Sequence, residues 1–172
     1  MLMLNLLYSR RSIRKYTHKP VETEKIEQLI ESALLAPSSR NREAWVFAVV
    51  TDKEALKQLS ISKPGSASML AEAPLAIVVC GNPLESDVWI EDCSIAATII
   101  QLAAQDLGLG SCWVQLRGRM YDHELSASEF VKKSLQLPAH LEIECIISIG
   151  YPAENKKMRD KSELSYQKII RM

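Results

Sequence analysis

The chain has no surplus of charge: 21 Lys and Arg balance 21 Asp and Glu among its 172 residues. No long-range field draws in nucleic acid or an anionic membrane, so a charged partner has to be small and locally recognised. Cysteine is sparse and dispersed. Cys80, Cys93, Cys112 and Cys145 form no Cys-x-x-Cys, which argues against a zinc site, a thioredoxin-like pair or a disulfide framework and fits a reducing cytoplasm. The three histidines, His18, His123 and His140, lack metal-ligand spacing and read as solvated side chains. No cationic stretch followed by a cleavable apolar run opens the chain, and the apolar segment 95–107 is broken by Thr98, Gln101, Gln105 and Asp106. Neither secretion nor a membrane span is expected. A Walker-type loop and a Gly-x-Ser-x-Gly elbow are both missing. Gly108-Leu-Gly110-Ser-Cys-Trp113 supplies only two glycines of the dinucleotide fingerprint, and supplies them before a strand instead of after one. Hydrolase, metalloenzyme and dinucleotide-fold readings lose their anchors, which leaves chemistry to a bound cofactor.

What remains is enough for one compact domain. At 47% hydrophobic residues, a chain of this length buries roughly 70% of its unfolded surface. Met1 to Tyr8 has a helical look. Ile26, Leu29, Ile30, Ala33 and Leu34 recur at helical spacing, predicting an amphipathic helix from about 23 to 35 with Thr23 as N-cap and Pro37 beyond its end. Strands are expected at 45–51, 74–80, 111–116 and 141–149, and further helices at 52–61, 86–107 and 126–136. The segment 74–80 is continuously apolar, as in a strand buried on both faces. Apolar residues nearly encircle helix 86–107, so part of its surface is expected at a subunit interface, implying a homodimer. Helices mixed irregularly with about four strands indicate an α+β sandwich.

The most informative stretch is Ser9-Arg-Arg-Ser-Ile-Arg-Lys-Tyr16. If it is extended, Arg10, Ser12 and Arg14 point one way and Arg11, Ile13 and Lys15 the other. Two guanidinium forks beside a hydroxyl then suit a phosphate, which arginine engages in a planar, bidentate way. Read alone, such a run is more often a solvated basic face.

Four segments together resemble the ordered motifs of the FMN-dependent nitroreductase family: Arg10-Arg-Ser-Ile-Arg-Lys-Tyr16, Ala36-Pro-Ser-Ser-Arg-Asn-Arg-Glu-Ala-Trp45, Gly108-Leu-Gly-Ser-Cys-Trp113 and Ile149-Gly-Tyr-Pro-Ala-Glu154. They span nearly the whole chain in the family's order. The resemblance implies a single FMN-binding domain over 1–172, a central, mostly antiparallel sheet flanked by helices, and a homodimer with a C-terminal tail, 153–172, reaching over the partner. It assigns Arg10, Arg11, Ser12 and Arg14 to the flavin's phosphate and ribityl end, and Lys157 and Arg159, with Lys156 as a possible substitute, to the same phosphate. Pro37, Ser38, Ser39 and Asn41 match the turn that packs on the isoalloxazine of the other subunit. Gln115, Leu116, Arg117 and Gly118 match the stretch whose backbone amide faces flavin N5, in a register that could slip by one residue. Trp45 and Trp113 are expected in the core, and Cys112 as an inert buried thiol.

The implied activity is transfer of hydride from NADH or NADPH through FMN to a small oxidised acceptor such as a nitroaromatic or quinone, with ping-pong kinetics and no catalytic side chain. An FMN carrier or redox sensor, a specialised flavin reaction such as reductive dehalogenation, and a non-flavin interaction protein are the other readings. Two features depart from the family pattern. Glu43-Ala44 stands where relatives often have Gln-Pro, and only 24 residues separate the strands from Thr51 to Pro74 inclusive. A small lid and an open, permissive pocket are expected from the second.

Overall fold

A computed structural model describes residues 3–172. Its centre is a sheet of four antiparallel strands, β1 (Trp45–Val50), β2 (Leu75–Gly81), β3 (Gly110–Gln115) and β4 (Glu142–Gly150), in the order β1-β2-β4-β3. Every residue of β2 is buried, because both sheet faces are covered and the strand lies inside. Alternation sorts its side chains into two cores. Leu75, Ile77 and Val79, with Cys145, Ile147 and Ile149 of β4, face the layer of α2 (Thr23–Leu34) and α4 (Trp89–Asp106). Ala76, Val78 and Cys80, with Ile146, face α3 (Lys53–Ser60) and α5 (Ala127–Leu135). Each fully buried Leu or Ile contributes about 1.5–3 kcal/mol. A short helix, α1 (Met3–Ser9), lies against α4. The first two residues of the helix expected there, Met1 and Leu2, lie outside the described residues.

The expected elements are present, with shifted ends. Thr23 is the first residue of α2 and not its cap. The cap position belongs to Glu22, whose carboxylate is drawn outwards to Lys19 (2.8 Å) and accepts from the Tyr151 hydroxyl (2.6 Å). By contrast, Ser126 caps α5 by accepting from the Glu129 amide (3.1 Å). Helix α4 begins at Trp89 and not at 86. Asn82 winds the preceding residues into a turn, its side chain accepting from the Leu84 amide (3.1 Å) and its carbonyl from the amides of Glu85 and Ser86. The apolar part of α4's buried face is made of small residues, Cys93, Ala96, Ala97 and Ala104, together with Ile100, which lets the helix lie close on the sheet. Ile95 points away and stays 40% exposed, and Met3, Leu4 and Leu7 of α1 are also exposed. No helix among the described residues is long and apolar enough to cross a membrane.

Candidate functional site

The two ends of the chain are laced together along the β3 edge of the sheet. Ser12 pairs in parallel with Ser111, and the Ile13 amide donates to the Ser111 carbonyl (2.9 Å). The Ile13 side chain is buried over Gly110, where an added Cβ would lie 2.8 Å from the Ile13 Cβ. Only glycine permits that approach. Three residues on, Tyr16 is buried and pairs with Pro152, and its hydroxyl lies 2.6 Å from the Ile13 carbonyl and 2.8 Å from Ser148 Oγ. The tail answers from the other side. The Ala153 amide donates to the Lys15 carbonyl (2.9 Å), the Arg159 amide to the Tyr8 carbonyl (3.0 Å), and Lys156 Nζ to the Ser12 carbonyl (2.8 Å). Arg11 Nη1 donates to the Lys157 carbonyl. Glu154 Oε1 accepts from the amides of Arg14 (2.6 Å) and Lys15 (3.3 Å), and the Arg14 bond is the main reason its carboxyl is held below its ordinary range.

These contacts gather cations without matching anions. Burial lowers the Arg10 guanidinium, and Arg159 and Arg11 push it the same way. Burial pushes the Cys112 thiol up, while Arg14, the Ser12 hydroxyl, Lys156 and Arg10 pull it back. Arg10, Ser12 and Arg14 thus all lie near the Cys112 thiol, although the segment is not a regular strand, since Ile13 and Tyr16, three residues apart, are buried in the same cluster. Among the described residues, none of Arg10, Arg11, Arg14, Lys157 and Arg159 is ion-paired with an acid. The one carboxylate at hand, Glu154, also lies 3.5 Å from Lys156 Nζ. Lys157 is exposed and supplies its carbonyl to Arg11, whereas Lys156 turns its ammonium towards Ser12.

At the far end of β3 the chain turns through residues 115–119. Leu116 is fully buried, so only its backbone is available to a ligand. The amides of Leu116 and Arg117 both donate to the Glu144 carbonyl (3.3 and 3.1 Å), and the Arg119 amide to the Leu116 carbonyl (3.0 Å). Gly118, at φ +68°, keeps an amide with no acceptor among the described residues. Arg117 Nε pairs with Glu144 Oε2 at 2.7 Å, and Gln115 receives the Trp113 indole N–H at 2.8 Å.

The turn 37–43 lies elsewhere. It leads directly into β1 at the opposite edge of the sheet, three strand spacings or roughly 14 Å from β3. Pro37 and Asn41 are exposed. The Ser39 amide donates to buried Asp92 Oδ1 (2.9 Å) and the Glu43 amide to Ser38 Oγ (3.0 Å). Arg40, Asn41 and Glu43 take left-handed conformations, with φ of 53°, 55° and 51°. A single chain therefore brings the arginines and the tail together but not the arginines and this turn. Trp45, which follows it, is buried in the core.

Glu144, Asp92 and Glu154 were not anticipated as supports of these segments. An acid inside the apolar run of β4 and another in the first turn of α4 were signals that buried partners must exist. A cavity of about 220 Å³ touches the cation cluster at Arg11, Ile13, Gly110, Glu154 and Lys156. A larger cleft of about 650 Å³ is lined by His18, Val21, Ile26, Lys53, Leu56 and Pro74, apart from the cluster.

Comparison with known proteins bears on the same segments. The profile of the Nitroreductase family matches residues 7–62 and 56–151. A protein of Archaeoglobus fulgidus with the provisional name NADH dehydrogenase/NAD(P)H nitroreductase is 38% identical over 157 residues, covering 89% of this chain and 87% of its own. The FMN reductase [NAD(P)H] of Bacillus subtilis is 29% identical, covering 92% of this chain and 69% of its own. The solved FMN-dependent nitroreductase of Clostridium difficile R20291 superposes with a TM-score of 0.95 at 49% identity, covering 97% of each chain. Both the profile and these likenesses run through the N-terminal strap, the sheet and the β3 edge, and the chain belongs to the nitroreductase family.

Proposed function

We propose that the chain is an FMN-dependent NAD(P)H oxidoreductase of the nitroreductase type, acting as a homodimer on a small oxidised acceptor such as a nitroaromatic or quinone. The observation that carries this reading is the cluster of cations assembled from both chain ends, in which Arg10, Arg14 and Arg159 have no acid partner among the described residues. Guanidinium groups brought together without a counter-anion repel one another, and a phosphate of nearly two negative charges relieves that repulsion through charge-assisted bonds. The donor set fits FMN: Arg10, Arg14, Lys156 and Arg159 with the Ser12 hydroxyl for the phosphate and ribityl end, and the free Gly118 amide at the other end of β3 for the ring. The register of the ring contact is thereby one residue later than Arg117, whose amide is already committed to Glu144.

When bound, FMN would supply the two-electron chemistry that links oxidation of NADH or NADPH to reduction of the acceptor. The protein binds, orients and excludes. The Gly118 N–H fixes the ring's position and offers a dipole to developing charge, and buried Cys112 takes no part. Because the turn carrying Pro37, Ser38, Ser39 and Asn41 is distant from the arginines of its own protomer, a second copy is the source of a turn for the ring. The uncovered apolar side chains of α1, Ile95 of α4, and Tyr166, Ile169 and Ile170 of the tail supply the surface for that pairing.

An absorbance spectrum of the purified protein, followed by anaerobic titration with NADH and NADPH, tests the proposal. A bound flavin spectrum that bleaches with one or both nucleotides is the expected result. A colourless protein that takes up no added FMN overturns it.

A further inference from the structure

Glu144 is a buried acid in β4, 4% exposed between Ile143 and Cys145, and its recorded hydrogen bonds go to the segment 115–117. Its Oε2 holds Arg117 Nε at 2.7 Å and its Oε1 holds Gln115 Nε2 at 3.3 Å. Its backbone carbonyl accepts from the amides of Leu116 and Arg117 and from Gln115 Nε2 (3.3 Å). Gln115 in turn donates to the Arg117 carbonyl (3.2 Å) and accepts from Trp113 Nε1. The net result is a turn in which the exposed Gly118 keeps an amide with no acceptor among the described residues. A hydrophobic side chain would fill this place in the core without the desolvation cost of a carboxylate. What the acid adds is a fixed turn and an ion pair beside it, with the carboxylate buried and the Arg117 side chain 47% exposed.

We propose that Glu144 is a positioning residue of the flavin site, which locks the 115–118 segment through Gln115 and Arg117 and, with Arg117, sets the charge that the reducible end of FMN meets. The inference rests on the FMN reading given above. Reduction adds negative charge to the ring, so a nearby carboxylate opposes it and a nearby guanidinium favours it. The pair therefore tunes the midpoint potential, and removing either member moves that potential in opposite directions.

The test is the midpoint potential of bound FMN in the holoprotein, read by equilibration with reference dyes, for wild type, Glu144→Gln and Arg117→Gln. Glu144→Gln is expected to favour reduced over oxidised FMN about tenfold more than wild type, which for a two-electron couple is about 30 mV to the positive side. Arg117→Gln is expected to move it to the negative side. A merely structural role would change stability without this reversal of sign. If wild type holds FMN and both variants titrate at its potential, or both shift in one direction, the proposal is overturned while the FMN reading stands. A wild-type protein that takes up no FMN removes both. Should Glu144→Gln fail to fold, Arg117→Gln decides alone: a more negative potential supports the proposal, and an unchanged one overturns it.

Discussion

Arg14 gives its backbone N–H to Glu154 and leaves its guanidinium free beside the Cys112 thiol, so truncation removes a cation from the cluster while keeping the strap. Arg14→Ala is expected to weaken FMN retention by about 1.5–3 kcal/mol, the worth of a hydrogen bond to a charged group. Dialysis against FMN-free buffer with fluorescence detection of released flavin measures it, and unchanged retention would remove Arg14 from the site. The core cysteines make a separate prediction. Burial pushes Cys80 and Cys93 from the ordinary thiol value of 9 to about 12. The unfolded chain then loses these protons first as the pH rises, so their contribution to stability is complete below pH 9 and is lost between 9 and 12. Urea midpoints against pH should fall across that window, and the fall should be shallower in Cys80→Ala. The cation-rich run holding Arg10, Arg11 and Arg14 was legible in sequence because it is contiguous. The acid that organises their backbone was not, since Glu154 lies 140 positions away.

Among the elements, the turn before β1 carries the clearest conformational cost. Left-handed backbone at Arg40, Asn41 and Glu43 costs on the order of 1 kcal/mol at each residue other than glycine. The Asp92 carboxylate on α4 is one of the contacts that hold the turn in that shape, through the Ser39 amide. Asp92→Ala is expected to leave that amide unpaired and cost about 1–3 kcal/mol in urea unfolding, with Asp92→Asn losing less because an amide oxygen can still accept. Equal losses in the two variants would place the role of Asp92 elsewhere. Helix and strand identities were readable from periodicity, because α2, α3 and α5 each bury one stripe and β2 buries everything. Their ends were less so. Ser86 to Val88 have helical composition, but the Asn82 turn and the Ser86 hydroxyl, 3.4 Å from Asp92 Oδ2, claim them first. Glu22 forgoes capping for the same kind of reason, a tertiary partner at Tyr151.

Across the molecule, the arginine strap and the 37–43 turn sit at opposite edges of the sheet, so under the proposed function pairing and flavin retention should rise and fall together. Leu7, on α1 and 48% exposed, tests this. Leu7→Glu is expected to shift the protein towards monomer in sedimentation and to release FMN over the same concentration range; a monomer that keeps its flavin would separate the two properties. The lacing of Arg11 to the Lys157 carbonyl, 146 residues downstream, has a further meaning for how the molecule comes into being. At ~5–20 residues per second on the ribosome, the first strap waits ~7–30 s for its mate to be synthesised. The strand that joins β2 to β3, β4, is itself made only at Glu142–Gly150, so the sheet and the strap close at nearly the same time. On the FMN reading, a chain cut short before Lys157 keeps all four strands but lacks the tail's contacts to the strap, and is expected to retain no flavin.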